Sequence, residues 1–148
     1  MDSEAFLTHI AEQSAFAERF GVSIEAVDRG AALATLTSAQ AAHPNGNVRS
    51  ASLLALAQTS STAAIDGALA PLAGRIDHTP SHSSLTHIAA ASGAVRAAAM
   101  VQRVYADDLI GEIGSLGSAQ CRVDVALVDE DGRTVARGHF DVTVARRD

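Results

Sequence analysis

The chain has 148 residues, with 11 Lys+Arg and 17 Asp+Glu, and a formal net charge of −6. This charge argues against nucleic acid as a partner, because binding to nucleic acid depends on basic side chains that neutralise its phosphates. One cysteine excludes an internal disulfide and fits a reducing compartment. Asp2 and Glu4 stand where a signal peptide carries basic residues. We therefore expect neither a signal peptide nor a membrane anchor, and we expect the protein to be cytoplasmic.

Two strands joined by a tight turn are predicted after an N-terminal helix. Residues 1–20 place apolar side chains near helical spacing, with acidic residues at the positive end of the dipole, and Gly21 is expected to end this helix. Residues 22–28 (VSIEAVD) alternate apolar and polar side chains, as a half-buried strand does. After an Arg-Gly turn, residues 31–38 are predicted to return as the second strand of a hairpin.

A long apolar segment at residues 48–69 predicts the central helix. A polar loop of turn composition, residues 43–47 (HPNGN), leads directly into it, and no proline interrupts it. We expect this helix to be buried on nearly all sides, with Ser50 or Ser52 capping its first turn. It is too short and too rich in Ser and Thr to span a bilayer.

The second half of the chain predicts four more strands. The Pro- and Gly-containing residues 71–80 are expected to be a connection, and residues 106–117, with three glycines, a loop or a bulged strand. The predicted strands are 81–91, 94–105 (for which a helix is the alternative), 119–128 and 134–145, the last two joined by a DEDG turn. The pattern predicts a single α+β domain over residues 1–148, an antiparallel sheet of about six strands wrapped around one helix.

The order of these elements resembles the hotdog-fold thioesterases of the phenylacetate-degradation type. In that family a hairpin leads to a G-x-[VIL]-H-G-G motif and a long helix, which carries an Asp or Glu eight residues after the first Gly of the pair. Residues 46–51 (GNVRSA) hold the place of the motif, and Gln58 stands eight residues after Ser50. The hairpin at residues 128–136 is similar to the last hairpin of the family. The segment around residues 106–116 is longer than the family pattern.

The resemblance implies a thioesterase that acts on acyl-CoA or an acyl-carrier thioester, in a homodimer or tetramer with each site at a subunit interface. Family members use the helix carboxylate as base or nucleophile and bind the oxyanion with a backbone N–H at the helix N-terminus. Gln58 replaces that carboxylate, and an amide can neither take a proton nor attack a carbonyl at neutral pH. Ser50 can still offer its backbone N–H, although the side chains of Arg49, Ser50 and Ala51 narrow the approach to it.

The resemblance brings further residues into the expected site. His43 lies where relatives often carry Asn or Gln, and it can act as a base or simply stack in its loop; Asn45 and Gly46 share that loop as substrate-binding candidates. His87, on the strand after the helix, faces either the same pocket or solvent. Thr62 matches a small hydroxyl that relatives use near the thioester, or it bonds its own helix carbonyl.

No metal and no cofactor are expected. His78 and His82 lie near Asp77, but this spacing fits no standard metal site. Arg96 and Arg103 can meet the phosphates of CoA or face solvent.

Three functions remain open at this point. The first is thioester hydrolysis, with His43, Ser50, Gln58 and Thr62 as the catalytic candidates. The second is binding of an acyl thioester or another small apolar ligand without hydrolysis, for which the Gln58 amide is suited. The third is dehydration or isomerisation by His43 or His87. Because a single sheet around one helix leaves edge strands uncovered, at least a homodimer is expected.

Overall fold

The computed structural model describes residues 15–37, 42–102 and 108–147. Most of the predicted N-terminal helix, and Arg103, lie outside these residues. Three helices, one 3-10 turn and six strands are present in the described residues: α1 (Ala15–Arg19), β1 (Val22–Asp28), β2 (Ala31–Leu36), α2 (Ser50–Ala68), the turn Ala70–Leu72, β3 (Ile76–His87), β4 (Val95–Val101), α3 (Leu109–Leu116), β5 (Ser118–Val128) and β6 (Thr134–Arg146).

The six strands form one antiparallel sheet in the order β1-β2-β4-β5-β6-β3. The predicted antiparallel sheet around a long helix is therefore confirmed. The chain enters the sheet at β1, and the strand that follows α2 crosses to the opposite edge. β1 and β3 are consequently the two edge strands of the sheet within the described residues.

The central helix α2 packs on one face of the sheet, chiefly against β1, β2, β4 and β5. Alternate residues of β4, from Val95 to Val101, are buried beneath it, and most are small, which lets the helix approach closely. The helix and the sheet are in close contact at Gly67, where a Cβ atom would lie 2.2 Å from the carbonyl oxygen of Asp28 in β1. We call the helix-covered face the inner face and the opposite one the outer face.

Two details of the predicted central helix are wrong. Arg49 occupies the N-cap position without a side-chain cap, and Ser50 and Ser52 lie inside the first turn, so neither serine caps the helix. Nor is α2 buried on nearly all sides, because an exposed stripe with one residue on each successive turn runs along it. The stripe consists of Ala51, Leu54, Gln58 and Thr62. No helix in the described part of the chain is long and apolar enough to cross a membrane.

Two segments expected to be irregular are regular. β3 begins at Ile76, inside the predicted connection, because an edge strand needs little apolar alternation and tolerates Pro80 beside a bulge. Residues 109–116 form a helix and not a loop. Leu109 and Ile113, four residues apart, bury one face of this helix, although Gly111 and Gly114 are poor helix formers. The helix α3 accounts for the extra length of this segment.

Candidate functional site

A pocket of about 400 Å³ opens at the N-terminus of α2. We call it the α2 pocket, and it lies between the start of the helix and the segment that follows β3. Its lining residues are Asn47, Val48, Ser50, Leu53, His87, Ile88, Ala89, Ala90 and Ala91.

Backbone hydrogen bonds hold the two sides of the α2 pocket together. The Val48 N–H donates to the Ala91 carbonyl at 2.8 Å, and Asn47 forms a β-bridge with Ser92. On the strand side of the pocket, the N–H of Ile88 donates to the Val135 carbonyl at 2.8 Å, which fixes this side to the sheet.

The loop before α2 is folded by its own turn. The Gly46 N–H donates to the His43 carbonyl at 2.9 Å, and Gly46 adopts φ of 90°, a conformation that favours glycine. The Asn45 side-chain oxygen accepts a hydrogen bond from the Asn47 N–H at 3.0 Å. This turn presents Asn47 to the pocket while His43 and Asn45 remain exposed on its outer side.

The start of α2 carries backbone N–H groups without an acceptor in the described part of the chain, and one of them belongs to Ser50, which lines the pocket. The first N–H groups to bond within the helix are those of Ser52 and Leu53, both of which donate to the Arg49 carbonyl. The N–H groups of Ser50 and Ala51 have no acceptor among the described residues. Such N-terminal N–H groups, at the positive end of the helix dipole, favour an oxyanion.

The structure brings Ser50 and His87 together at this pocket. His43, Asn45, Gly46 and Arg49, from the same set of candidates, lie in the exposed loop beside the pocket and are not among its lining residues.

Gln58 and Thr62 lie elsewhere on the exposed stripe of α2. Eight residues separate Ser50 from Gln58, which places them about 12 Å apart along the axis at the helical rise of about 1.5 Å per residue. Within one chain, Ser50 and Gln58 therefore do not belong to a single site.

Two relevant features were missed in the sequence. Asn47 lines the pocket, and its position inside the resembled motif was the signal that could have found it. His78, on the inner face of β3, places its Nε2 atom 2.9 Å from an Asp66 carboxylate oxygen at the end of α2. No local spacing connects these two residues, since the pair depends on β3 lying beside β6 with His78 on the helix-covered face of the sheet.

The described residues contain no group of three or more His, Cys, Asp or Glu side chains that could hold a metal ion. His82 instead stacks on His139, with ring centroids 5.5 Å apart. Asp77 accepts hydrogen bonds from Arg147, which lower the pKa of its carboxyl group.

No protein-family model and no curated protein matches this sequence. Solved structures do match in fold. A probable thioesterase of unknown function from Pseudomonas aeruginosa aligns with a TM-score of 0.81 and 21% identity, covering 99% of this chain and 97% of the other. A hypothetical thioesterase with coenzyme A from Streptococcus pneumoniae aligns with a TM-score of 0.69 and 17% identity over 93% and 98% of the two chains. The PaaI protein of the phenylacetic acid degradation operon of E. coli aligns with a TM-score of 0.69 and 20% identity over 95% of each chain.

The chain has the hotdog fold. The fold predicted from the order of elements is thus confirmed, including the six-stranded sheet and the long helix. The α2 pocket lies at the N-terminal end of the central helix, beside residues 46–51.

Proposed function

We propose that this protein hydrolyses an acyl thioester, of CoA or of an acyl carrier, in the α2 pocket. The observation that carries the proposal is the presence of the Ser50 side chain, the free Ser50 N–H group and the His87 imidazole at one pocket. Its fold is shared with structures named as thioesterases, one of them with coenzyme A, which supports the same reaction class.

In the proposed reaction the thioester carbonyl oxygen points toward the start of α2. The N–H group of Ser50 donates a hydrogen bond to the oxyanion that forms there. His87 accepts a proton from water as the water oxygen attacks the carbonyl carbon. The C–S bond then breaks, and the proton held by His87 passes to the departing thiolate, which leaves a free thiol and a carboxylic acid.

Gln58 enters this proposal from a second copy of the chain. β3 is a free edge, and His87 lies at its end, opposite the buried Ala136 of β6 and therefore on the inner face. Pro80 and the adjacent bulge leave residues 82–87 as a regular length of edge that a second β3 can pair with. When two copies pair along this edge about a two-fold axis, their α2 helices run antiparallel. The exposed stripe of each helix then runs toward the α2 pocket of the other copy. Gln58 of one copy then orients the water or the carbonyl, with Thr62 beside it.

The test is release of free thiol from a panel of short, medium and aryl acyl-CoAs. We expect His87→Gln to lower kcat/KM about 100-fold or more, the lower end of the usual contribution of a general base. His82→Gln is the matched control, since His82 lies on β3 and is exposed away from the pocket.

His43→Gln tests the competing base in the loop. Loss of turnover in that variant, with full activity in His87→Gln, would transfer the role of base to His43. A flat response of the wild type to every thioester would contradict the proposal as a whole.

The second candidate function is binding of an acyl thioester without hydrolysis. The amide of Gln58 at the position of the usual acid favours it, because an amide holds a ligand by hydrogen bonds only. Thermal stabilisation by CoA esters without thiol release would support this function, whereas thiol release with multiple turnovers would exclude it.

A further inference from the structure

The hydroxyl group of Ser50 lines the α2 pocket but has no role in the reaction described so far. Ser50 is the first residue of α2, its side chain is exposed, and its hydroxyl forms no hydrogen bond with the described residues. The hydroxyls of Ser60, Ser61 and Ser115 instead donate to a carbonyl of the preceding helical turn. Ser50 has no such turn before it, so its oxygen stays available to a substrate in the pocket.

His87 is the group that can take the proton of this hydroxyl. It lines the same pocket of about 400 Å³, and its imidazole is exposed. The other polar side chain in the described lining is the amide of Asn47, which is neither a base nor a nucleophile at neutral pH. A serine hydroxyl becomes an effective nucleophile when a neighbouring base removes its proton. Ser50 and His87 therefore supply the two groups that nucleophilic catalysis requires.

The backbone of Ser50 also suits a nucleophile. Its N–H has no acceptor among the described residues and lies at the positive end of the α2 dipole. In serine hydrolases, the backbone N–H of the nucleophilic serine itself helps to bind the oxyanion. An acyl group attached to Ser50 Oγ can accordingly direct its oxyanion to the N–H of the same residue.

Two departures from the resembled motif point to the same change in chemistry. Gln58 stands where the resemblance expects a carboxylate, and its amide can neither attack a carbonyl nor take a proton. Ser50 stands where the motif has a glycine. This chain has thus lost the expected base or nucleophile at one position and gained a hydroxyl at the pocket.

We propose that Ser50 is the catalytic nucleophile and carries the acyl group as an ester. This inference rests on the proposed thioester hydrolysis and deepens it, because Ser50 Oγ replaces water in the first half of the reaction. Ser50 Oγ attacks the thioester carbonyl carbon and its proton passes to His87; the C–S bond breaks, and His87 gives the proton to the thiolate. Water then attacks the ester and yields a proton to His87. The C–O bond to Ser50 breaks, and His87 returns the proton to Oγ.

Ser50→Gly tests the nucleophile, because it removes the hydroxyl but keeps the backbone N–H. Thiol release from acyl-CoA should fall about 100-fold or more in kcat/KM, a conservative value for loss of a catalytic nucleophile. Ser115→Ala is the matched control and should retain full activity, since Ser115 is an exposed helix serine outside the pocket. Wild-type turnover in Ser50→Gly would overturn the inference and leave the proposed hydrolysis standing, with water as the direct attacker.

Labelling with diisopropyl fluorophosphate separates a nucleophilic serine from a structural one and needs no thioester. We expect mass spectrometry of peptides to find the phosphoryl group on Ser50 in the wild type and in Ser115→Ala, and labelling about 100-fold slower or more in His87→Gln. No label on Ser50 at millimolar reagent, or a label only on His87, would overturn the inference even if Ser50→Gly is inactive. A labelled Ser50 in a protein that releases thiol from no thioester would refute the proposed hydrolysis and keep Ser50 as a nucleophile.

Discussion

Replacement of Gly67 by alanine tests the contact that places α2 on the sheet. Gly67 lies inside the last turns of the helix, where alanine is normally the better residue by about 1 kcal/mol. In this chain, however, the added Cβ would lie 2.2 Å from the Asp28 carbonyl oxygen and 2.8 Å from Val27 Cγ1. Ordinary van der Waals contact begins at 3.4 Å, so the shortfall against the carbonyl is 3.4 − 2.2 = 1.2 Å.

The size of the effect follows from two opposing contributions. The colliding oxygen belongs to the backbone of β1, which cannot rotate away, so the helix and the strand must separate. Overpacking of this kind costs about 1–3 kcal/mol, and a clash with backbone belongs at the upper end. After the gain of about 1 kcal/mol in helix propensity, we expect Gly67→Ala to lower the free energy of unfolding by about 1–2 kcal/mol. For a domain of this size that corresponds to a fall in Tm of about 3–6 °C.

Urea unfolding followed by circular dichroism measures this change, with Gly114→Ala as the matched control. Gly114 lies inside α3, and a Cβ there would meet nothing within 4 Å. The same substitution should therefore stabilise the protein by about 0.5–1 kcal/mol. If Gly67→Ala is as stable as the wild type or more so, the close packing of α2 on β1 is refuted.

Three other predictions concern ionisable and catalytic groups. Gln58→Glu should raise kcat for acyl-CoA hydrolysis about tenfold or more, because it supplies a base at the position that the resemblance assigns to the helix acid; a fall in kcat would contradict that assignment. Burial raises the pKa of the Cys121 thiol to about 11, so alkylation by iodoacetamide at pH 8 should be much slower in the native protein than in urea; equal rates would show that the thiol is exposed. Hydrogen bonds from the backbone N–H groups of Arg133 and Asp131 lower the pKa of the Asp129 carboxyl group. The stabilising contribution of this carboxylate is therefore present above its unfolded pKa of about 3.9 and is lost as pH falls through its folded pKa. Asp129→Asn should accordingly lose less stability than the wild type between pH 7 and pH 3, as measured by urea midpoints, and an equal loss would exclude this role.

The hairpin and the central helix were predictable because their signals are local. The alternation of apolar and polar residues at 22–28 specifies β1. The proline-free apolar run at residues 50–68 specifies α2, again without reference to the rest of the chain. α3 escaped prediction because Gly111 and Gly114 are poor helix formers, and only burial of Leu109 and Ile113 against the sheet compensates for them.

The site was predictable only in part. The resembled motif marked Ser50 as a site residue, and its local position was enough for that. That His87 lies at the same pocket as Ser50, and that Gln58 does not, depends on the position of β3 at the edge of the sheet. His87 comes 37 residues after Ser50 in the chain, so no local pattern predicts this. The exposed stripe of α2 could not be predicted from the sequence either. Ala51 and Leu54 are apolar and suggest burial, but the sheet covers only the opposite side of the helix.

Mixing of two inactive variants tests most directly whether thioester hydrolysis takes place at a site shared by two copies. Chains that carry His87→Gln and chains that carry Gln58→Ala are unfolded together, refolded, and assayed for thiol release from an acyl-CoA. If His87 of one copy works with Gln58 of the other, half of the dimers are mixed and each has one intact site. The mixture should then recover about a quarter of wild-type turnover, although either variant alone is nearly inactive. If both residues act within one chain, or if neither acts, the mixture will be no more active than its parents, and the shared site is contradicted.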